Sequence, residues 1–205
     1  MTATIGSFAT ALHPADSQQV FRAVLEALAR PGTAMALPPG PLRKLAPAVV
    51  PVFALSDLGT GVCLLENEIQ HSSGTGEFQY WADAVATATS APLWPAELAR
   101  LVAALRPVTD DEVRSFCRGT PETPEDAALV SLAVADVDGG DRRWRLSGPG
   151  IADTATLAPR GLPASFVVAR AKAVASYPAG IDVLLVTDDG RVVGLPRTTT
   201  ITEES

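Results

Sequence analysis

The residues best placed to do chemistry lie near the C-terminus, where Leu195-Pro196-Arg197-Thr198-Thr199-Thr200 follows a strand-like run. A forked guanidinium followed by hydroxyls can grip a phosphate or phosphonate through charge-assisted bonds. The same arginine can instead pair with a carboxylate such as Asp182 at a domain or subunit contact, and the residue types favour that structural reading. Gly148-Pro149-Gly150 offers a second anion cradle, because amides exposed by glycine turns form concave nests. It also reads as a proline-stiffened corner, the plainer alternative and the favoured one. No Gly-Lys-Thr makes this a Walker loop, and no GxGxxG opens a helix as a dinucleotide fingerprint would.

The other reactive side chains are sparse. His13 and His71 have no serine, cysteine or carboxylate that spacing places beside them, so no catalytic triad can be argued. Cys63 lies in the apolar run Val62 to Leu65 and reads as an inert buried thiol, and Cys117 ends a helix. Two cysteines outside any CxxC and two histidines give no metal site. Glu122, Glu125 and Asp126 read as an ordinary solvated loop. Lys44 and Lys172 stand against 14 arginines, so lysine chemistry has two candidates. By residue chemistry alone, this is not an enzyme with a self-contained site.

Composition sets the frame that must hold these residues. The chain has 205 residues, 47% hydrophobic and only 19% charged, which excludes wholesale disorder and allows a real core. No apolar run approaches the roughly 18 residues of a membrane span. The net charge of -7 argues against a broad nucleic-acid face, which needs clustered Lys and Arg. No basic segment precedes an apolar one at the N-terminus, so a cytoplasmic location is expected.

The spacing predicts a helix from Asp16, as N-cap with Gln19, to Pro31-Gly32, with Val20, Phe21, Val24, Leu25, Leu28 and Ala29 facing the core. A short strand over 33–37 follows, then a helix within 45–55 that is entered late or broken, and a strand over 62–65. Residues 66–76 read as a loop, and 79–89 stay open between helix and strand. Helices are expected over 95–105 and 109–116, the second capped by Thr109 with Glu112. Residues 127–137 and 142–146 read as a hairpin turned by Gly139-Gly140. A helix over 163–175 precedes strands over 182–186 and 191–195, paired through Asp188-Asp189-Gly190. The expected class is α/β, a three-layer fold with a mixed sheet flanked by helices, in one domain over 1–205.

Five segments in this order carry a resemblance. They are Asp16-Ser17-Gln18 with Phe21-Arg22; Ala29-Arg30-Pro31-Gly32; Arg118-Gly119-Thr120 with Pro124-Glu125-Asp126-Ala127; Gly148-Pro149-Gly150-Ile151; and Tyr177-Pro178-Ala179-Gly180-Ile181-Asp182 with Gly194-Leu195-Pro196-Arg197-Thr198-Thr199. Together the chain resembles the PhnH family of phosphonate utilisation, which belongs to the bacterial carbon–phosphorus lyase system. Asp57 and Thr60 match an aspartate and threonine that the family carries in a strand-like segment, while Ala88-Thr89-Ser90 stands where it tends to have His-Thr-Gly.

The resemblance implies a homodimer with the fold of pyridoxal-phosphate-dependent transferases but no cofactor. Neither Lys44 nor Lys172 is placed as a Schiff-base lysine, which agrees. It implies a non-autonomous member of the carbon–phosphorus lyase core, acting beside the PhnG, PhnI and PhnJ proteins. With PhnL, the PhnG, PhnH and PhnI proteins support formation of ribose 1-methylphosphonate 5-triphosphate from ATP and methylphosphonate, before the radical protein PhnJ cleaves the carbon–phosphorus bond. Two roles follow from the residues. In the first, an assembly scaffold, Asp182, Arg197 and Gly180 secure the fold. In the second, a phosphonate or nucleotide pocket, Arg197, Thr198, Thr199, Gly148 and Gly150 are the donors. A paralogue that keeps the fold for another role is a third. The apolar, charge-poor composition favours the scaffold.

Overall fold

The computed structural model describes residues 11–66 and 81–204. His71 and most of the expected loop over 66–76 lie outside them.

The first helix, α1 (Pro14–Ala29), begins two residues before the expected cap. Pro14 presets the helical φ at the first position, and His13 takes the cap, its Nδ1 accepting from the Ala15 amide at 3.2 Å. Asp16 therefore sits in the first turn instead of capping it. Val20, Val24 and Ala27 are buried, whereas Phe21 and Leu25 face solvent, 50% and 54% exposed. Two apolar stripes overlap on this helix, and contact with the sheet selects one. A Cβ on Gly194 would run into the Ala27 carbonyl carbon and the Leu28 nitrogen (2.5 and 2.7 Å), so the helix lies directly over that glycine.

The chain continues through β1 (Met35–Ala36), the one-turn α2 (Pro39–Leu42), α3 (Val49–Leu55), β2 (Val62–Leu65) and α4 (Trp81–Thr89). Helix α3 is thus entered late, after Pro47, and the open segment over 81–89 is helical. Asp57 and Thr60 form a turn instead of a strand-like segment. Asp57 Oδ1 accepts from the Gly59 amide (2.9 Å) and the Thr60 hydroxyl (2.7 Å), which holds the Asp57 carboxyl below its usual range.

Next come β3 (Leu101–Ala104), α5 (Asp110–Ser115), β4 (Leu129–Val134), β5 (Arg143–Ser147), β6 (Ala155–Leu157), α6 (Phe166–Ala173), β7 (Asp182–Thr187), β8 (Arg191–Leu195) and β9 (Thr200–Glu204). The expected helix over 95–105 is replaced by a turn and the strand β3, paired in parallel with β2 and β4. All four residues of β3 are buried, and a strand covered on both faces loses the alternation that would identify it. Helix α5 keeps its expected capping box, with Thr109 Oγ1 and Glu112 satisfying each other's backbone amides.

A six-stranded mixed sheet runs β1-β8-β7-β4-β3-β2, with β7, β4, β3 and β2 parallel and β8 antiparallel to β7. A three-stranded antiparallel sheet runs β6-β5-β9. The expected hairpin between 127–137 and 142–146 is therefore absent: β4 enters the large sheet, while β5 pairs with β6 and β9. No strand was expected at β6 or β9.

Hydrophobic cores cover both faces of the large sheet. Val20, Val24, Val49, Val52 and Trp81, from α1, α3 and α4, meet Leu184 and Val186 on one side. Val113 and Phe166, from α5 and α6, with Trp144 and Leu146 of the small sheet, meet Val183 and Leu185 on the other. The architecture is mixed α/β with sheets flanked by helices. Trp144 stacks on Phe166 with ring centroids 5.7 Å apart, tying β5 to α6.

Candidate functional site

The residues singled out near the C-terminus converge on the ends of β7 and β8. Arg197 leaves β8 after Pro196 and folds back over Asp182 at the start of β7. Its backbone amide donates to Asp182 Oδ1 (2.7 Å), Nε contacts both carboxylate oxygens (3.3 and 3.2 Å), and Nη2 donates to Oδ2 (2.6 Å). Nη1 donates to the carbonyls of Pro124 (2.9 Å) and Pro178 (3.0 Å). The pair is mostly shielded, with side chains 16% and 24% exposed. A guanidinium has five N–H donors, so a single Nη2 hydrogen remains uncommitted.

Glycines let the surrounding chain close on this pair. Gly180 has φ +151, its amide donates to the Arg118 carbonyl at 2.8 Å, and a Cβ there would stand 3.3 Å from Arg197 Cβ. Gly119, at φ +63, turns the chain so that Pro124 can present its carbonyl to Arg197. The peptide bond between Tyr177 and Pro178 is cis.

Gly148 is beside Thr198, whose carbonyl would lie 2.8 Å from an added Cβ. Gly150, at φ +83, instead abuts the Ala29 carbonyl and Pro31 Cδ (2.9 Å from an added Cβ). Gly32, at φ +81, has Ala155 and Leu146 equally close, at 2.8 and 2.9 Å from an added Cβ. The stop of α1 and the loop after β5 are thus one contact. Thr198 is exposed and Thr199 is buried; Arg22 lies on the exposed face of α1.

Sequence reasoning missed Arg170. It is only 2% exposed, on the inner side of α6, and forms no ion pair among the described residues. Nη1 donates to the Thr199 carbonyl (3.1 Å), and Nη2 to those of Leu195 (3.4 Å) and Pro196 (2.6 Å). Arg170 therefore fixes the turn that carries Arg197. Burial pulls its pKa down to about 10, partly offset by the Asp182 charge, so it stays charged at neutral pH. The available signal was its register: four residues after Phe166 and three before Ala173, both buried.

A cavity of about 290 Å³ opens between α6 and β9, lined by Arg170, Thr199 and Arg197 and walled by Val167, Ala171 and Val174. A larger one, about 520 Å³, lies at the start of α1 beside His13, Asp16, Arg43 and Lys44. Among the described residues no group of three or more His, Cys, Asp or Glu could hold a metal ion, and no helix is long and apolar enough to cross a membrane.

The comparisons with known proteins bear on the whole chain. Residues 7–202 match the family model described as bacterial phosphonate metabolism protein (PhnH). The chain belongs to the PhnH family. A PhnH protein of Rhizobium meliloti (strain 1021), described as alpha-D-ribose 1-methylphosphonate 5-triphosphate synthase subunit PhnH, is 30% identical over 208 residues, covering 92% of each chain. Among the residues that carried the resemblance to PhnH proteins, Gly119, Pro124, Pro178, Gly180, Asp182 and Arg197 are internal fasteners that contact one another or neighbouring backbone.

Proposed function

We infer that this chain is a non-autonomous structural subunit of the carbon–phosphorus lyase assembly in alkylphosphonate catabolism. In this reading it supports formation of ribose 1-methylphosphonate 5-triphosphate, the product in the name of its Rhizobium meliloti relative, from ATP and methylphosphonate. It acts in the cytoplasm as a single domain, as a homodimer that associates with the PhnG, PhnI and PhnJ proteins. Its fold is that of the pyridoxal-phosphate-dependent transferases used without the cofactor. Lys44 and Lys172 are both exposed, which supports that view, because a Schiff-base lysine needs a desolvated pocket to lose its proton.

The observation that carries the scaffold role is the commitment of four of the five N–H donors of the Arg197 guanidinium within the chain. Those donors go to Asp182, Pro124 and Pro178. A bidentate grip on an oxyanion takes two parallel N–H donors, and Arg197 has one left.

Genetic complementation tests this. In a bacterium that grows on methylphosphonate as sole phosphorus source, the gene for the resident PhnH protein is deleted and this chain supplied. Restored growth is expected, retained by Arg197→Lys in proportion to the folded protein recovered. Failure of the wild-type chain to restore growth, although present at normal abundance, would contradict the assignment.

A further inference from the structure

We propose that the outward stripe of α1 packs antiparallel on the same stripe of a second copy of this chain, apolar edge on apolar edge, with Arg22 facing Glu26 of the partner subunit. The proposal rests on the homodimer of the reading above for the existence of a pair, and the surface is argued from the helix itself.

Packing uses one side of α1 and leaves the other bare. Val20, Val24 and Ala27 are buried against the sheet, whereas Gln18, Phe21, Arg22, Leu25, Glu26 and Ala29 are exposed. At 3.6 residues per turn the exposed side divides lengthwise. Phe21 and Leu25 form an apolar edge, and Arg22 and Glu26 form a charged edge about 100° further round. Single exposed apolar residues are ordinary, but Phe21 and Leu25 lie one turn apart and make a continuous strip. Although Arg22 and Glu26 are four residues apart, neither forms an ion pair among the described residues. Beside the charged edge, a groove of about 290 Å³ over Met35 and Ala36 gives long facing side chains room.

Symmetry chooses the arrangement. A twofold axis that passes between two helices and across them reverses the second helix but keeps each edge on its own side. Apolar edge then meets apolar edge, and charged edge meets charged edge. Phe21 and Leu25 are centred on position 23, and Arg22 and Glu26 on position 24, so one axis serves both edges. Across it Arg22 faces Glu26 of the partner subunit, and Glu26 faces Arg22 of the partner subunit. A parallel pair would instead press the charged edge of one copy on the apolar edge of the other and desolvate unpaired charges. The stripe thus complements itself in polarity and in charge, which commits it to a second copy.

Light scattering and sedimentation of the purified full chain, across a concentration series, test this at exposed positions outside the core. Arg22→Glu and Glu26→Arg each create two like-charged contacts across the axis, and each should weaken self-association at least about tenfold. Mixed in equal amounts, the two variants should pair with each other as tightly as the wild type pairs with itself, because opposite charges face again at both contacts. Each helix keeps its own i,i+4 repulsion in that mixture, so an effect confined to one helix would not recover. Phe21→Asp should leave a folded monomer with an unchanged circular dichroism spectrum. A wild-type pair that all three variants leave intact would overturn this surface and leave the homodimer standing. Weakening that mixing does not reverse would overturn the antiparallel register. A wild-type chain that stays monomeric throughout would overturn the homodimer as well, and if Phe21→Asp then blocks binding to PhnG, PhnI or PhnJ, the stripe belongs to that contact instead.

Discussion

Arg197 and Asp182 form a forked ion pair across the ends of β8 and β7, with Nη2 at 2.6 Å from Oδ2 and the Arg197 amide at 2.7 Å from Oδ1. Because the other guanidinium arm reaches the carbonyls of Pro124 and Pro178, one side chain joins three separate segments. Breaking it should be costly. Arg197→Ala is expected to destabilise the chain by about 3 kcal/mol, since it leaves a shielded carboxylate unpaired. Arg197→Lys should recover less than half of that, because a point charge cannot serve a carboxylate and two carbonyls together. Urea unfolding of the three proteins measures both values, and a loss below about 0.5 kcal/mol for Arg197→Ala, the scale of an exposed pair, would contradict the clamp.

The contact between the loop after β5 and the end of α1 gives a glycine prediction. At Gly150 an added methyl meets the Ala29 carbonyl at a positive φ, so Gly150→Ala should cost more than about 2 kcal/mol. Gly59→Ala, whose methyl would approach nothing nearer than 3.6 Å, should stay within about 0.5 kcal/mol. Thermal melts of the pair check the contrast.

Glu112 makes a pH-dependent contribution. Hydrogen bonds from Arg106 outweigh desolvation and, with the Thr109 amide, hold its carboxyl down to about 2, below its usual 4.5. A carboxylate with a lowered folded-state pKa stabilises above the unfolded value, and that contribution disappears as pH falls from 4.5 through 2. Solvent screening of a side chain 25% exposed reduces the effect to on the order of 1–2 kcal/mol. Glu112→Gln should therefore be less stable than wild type at pH 7, with the gap closing near pH 2. A gap independent of pH would contradict this.

Ser90 holds a backbone conformation that suits glycine better than serine. It follows α4 at φ +59, the left-handed conformation that glycine adopts freely, and its amide closes the helix on the Ala86 carbonyl at 2.9 Å. Glycine stands at this place in the His-Thr-Gly pattern expected from the resemblance. Ser90→Gly should stabilise the chain by about 0.5–1 kcal/mol, measured by urea unfolding.

Local chemistry made some of this legible in sequence and concealed the rest. Thr109 and Glu112 announced α5 because a capping box is complete within four residues. Asp188-Asp189-Gly190 likewise announced the β7–β8 turn. Strand β3 was hidden because Leu101-Val102-Ala103-Ala104 has helix-forming composition and is covered on both faces, so pairing with β2 and β4 decides its state. Arg143 to Leu146 displayed its alternation correctly, yet its partners, β6 and β9, are set by distant register. The candidate site divides in the same way. Arg197 and Asp182 were visible as unusual residues at strand ends, whereas Arg170 looked like one more charge on a short helix until the packing of α6 was known.

The most direct measurement of the central claim is the mass, by light scattering, of the particle recovered when this chain is co-expressed with the PhnG, PhnI and PhnJ proteins. The account predicts a stable multi-subunit particle containing this chain in fixed stoichiometry, retained by every variant that still folds. A chain that elutes alone, folded, while the other proteins assemble without it would contradict the structural-subunit reading.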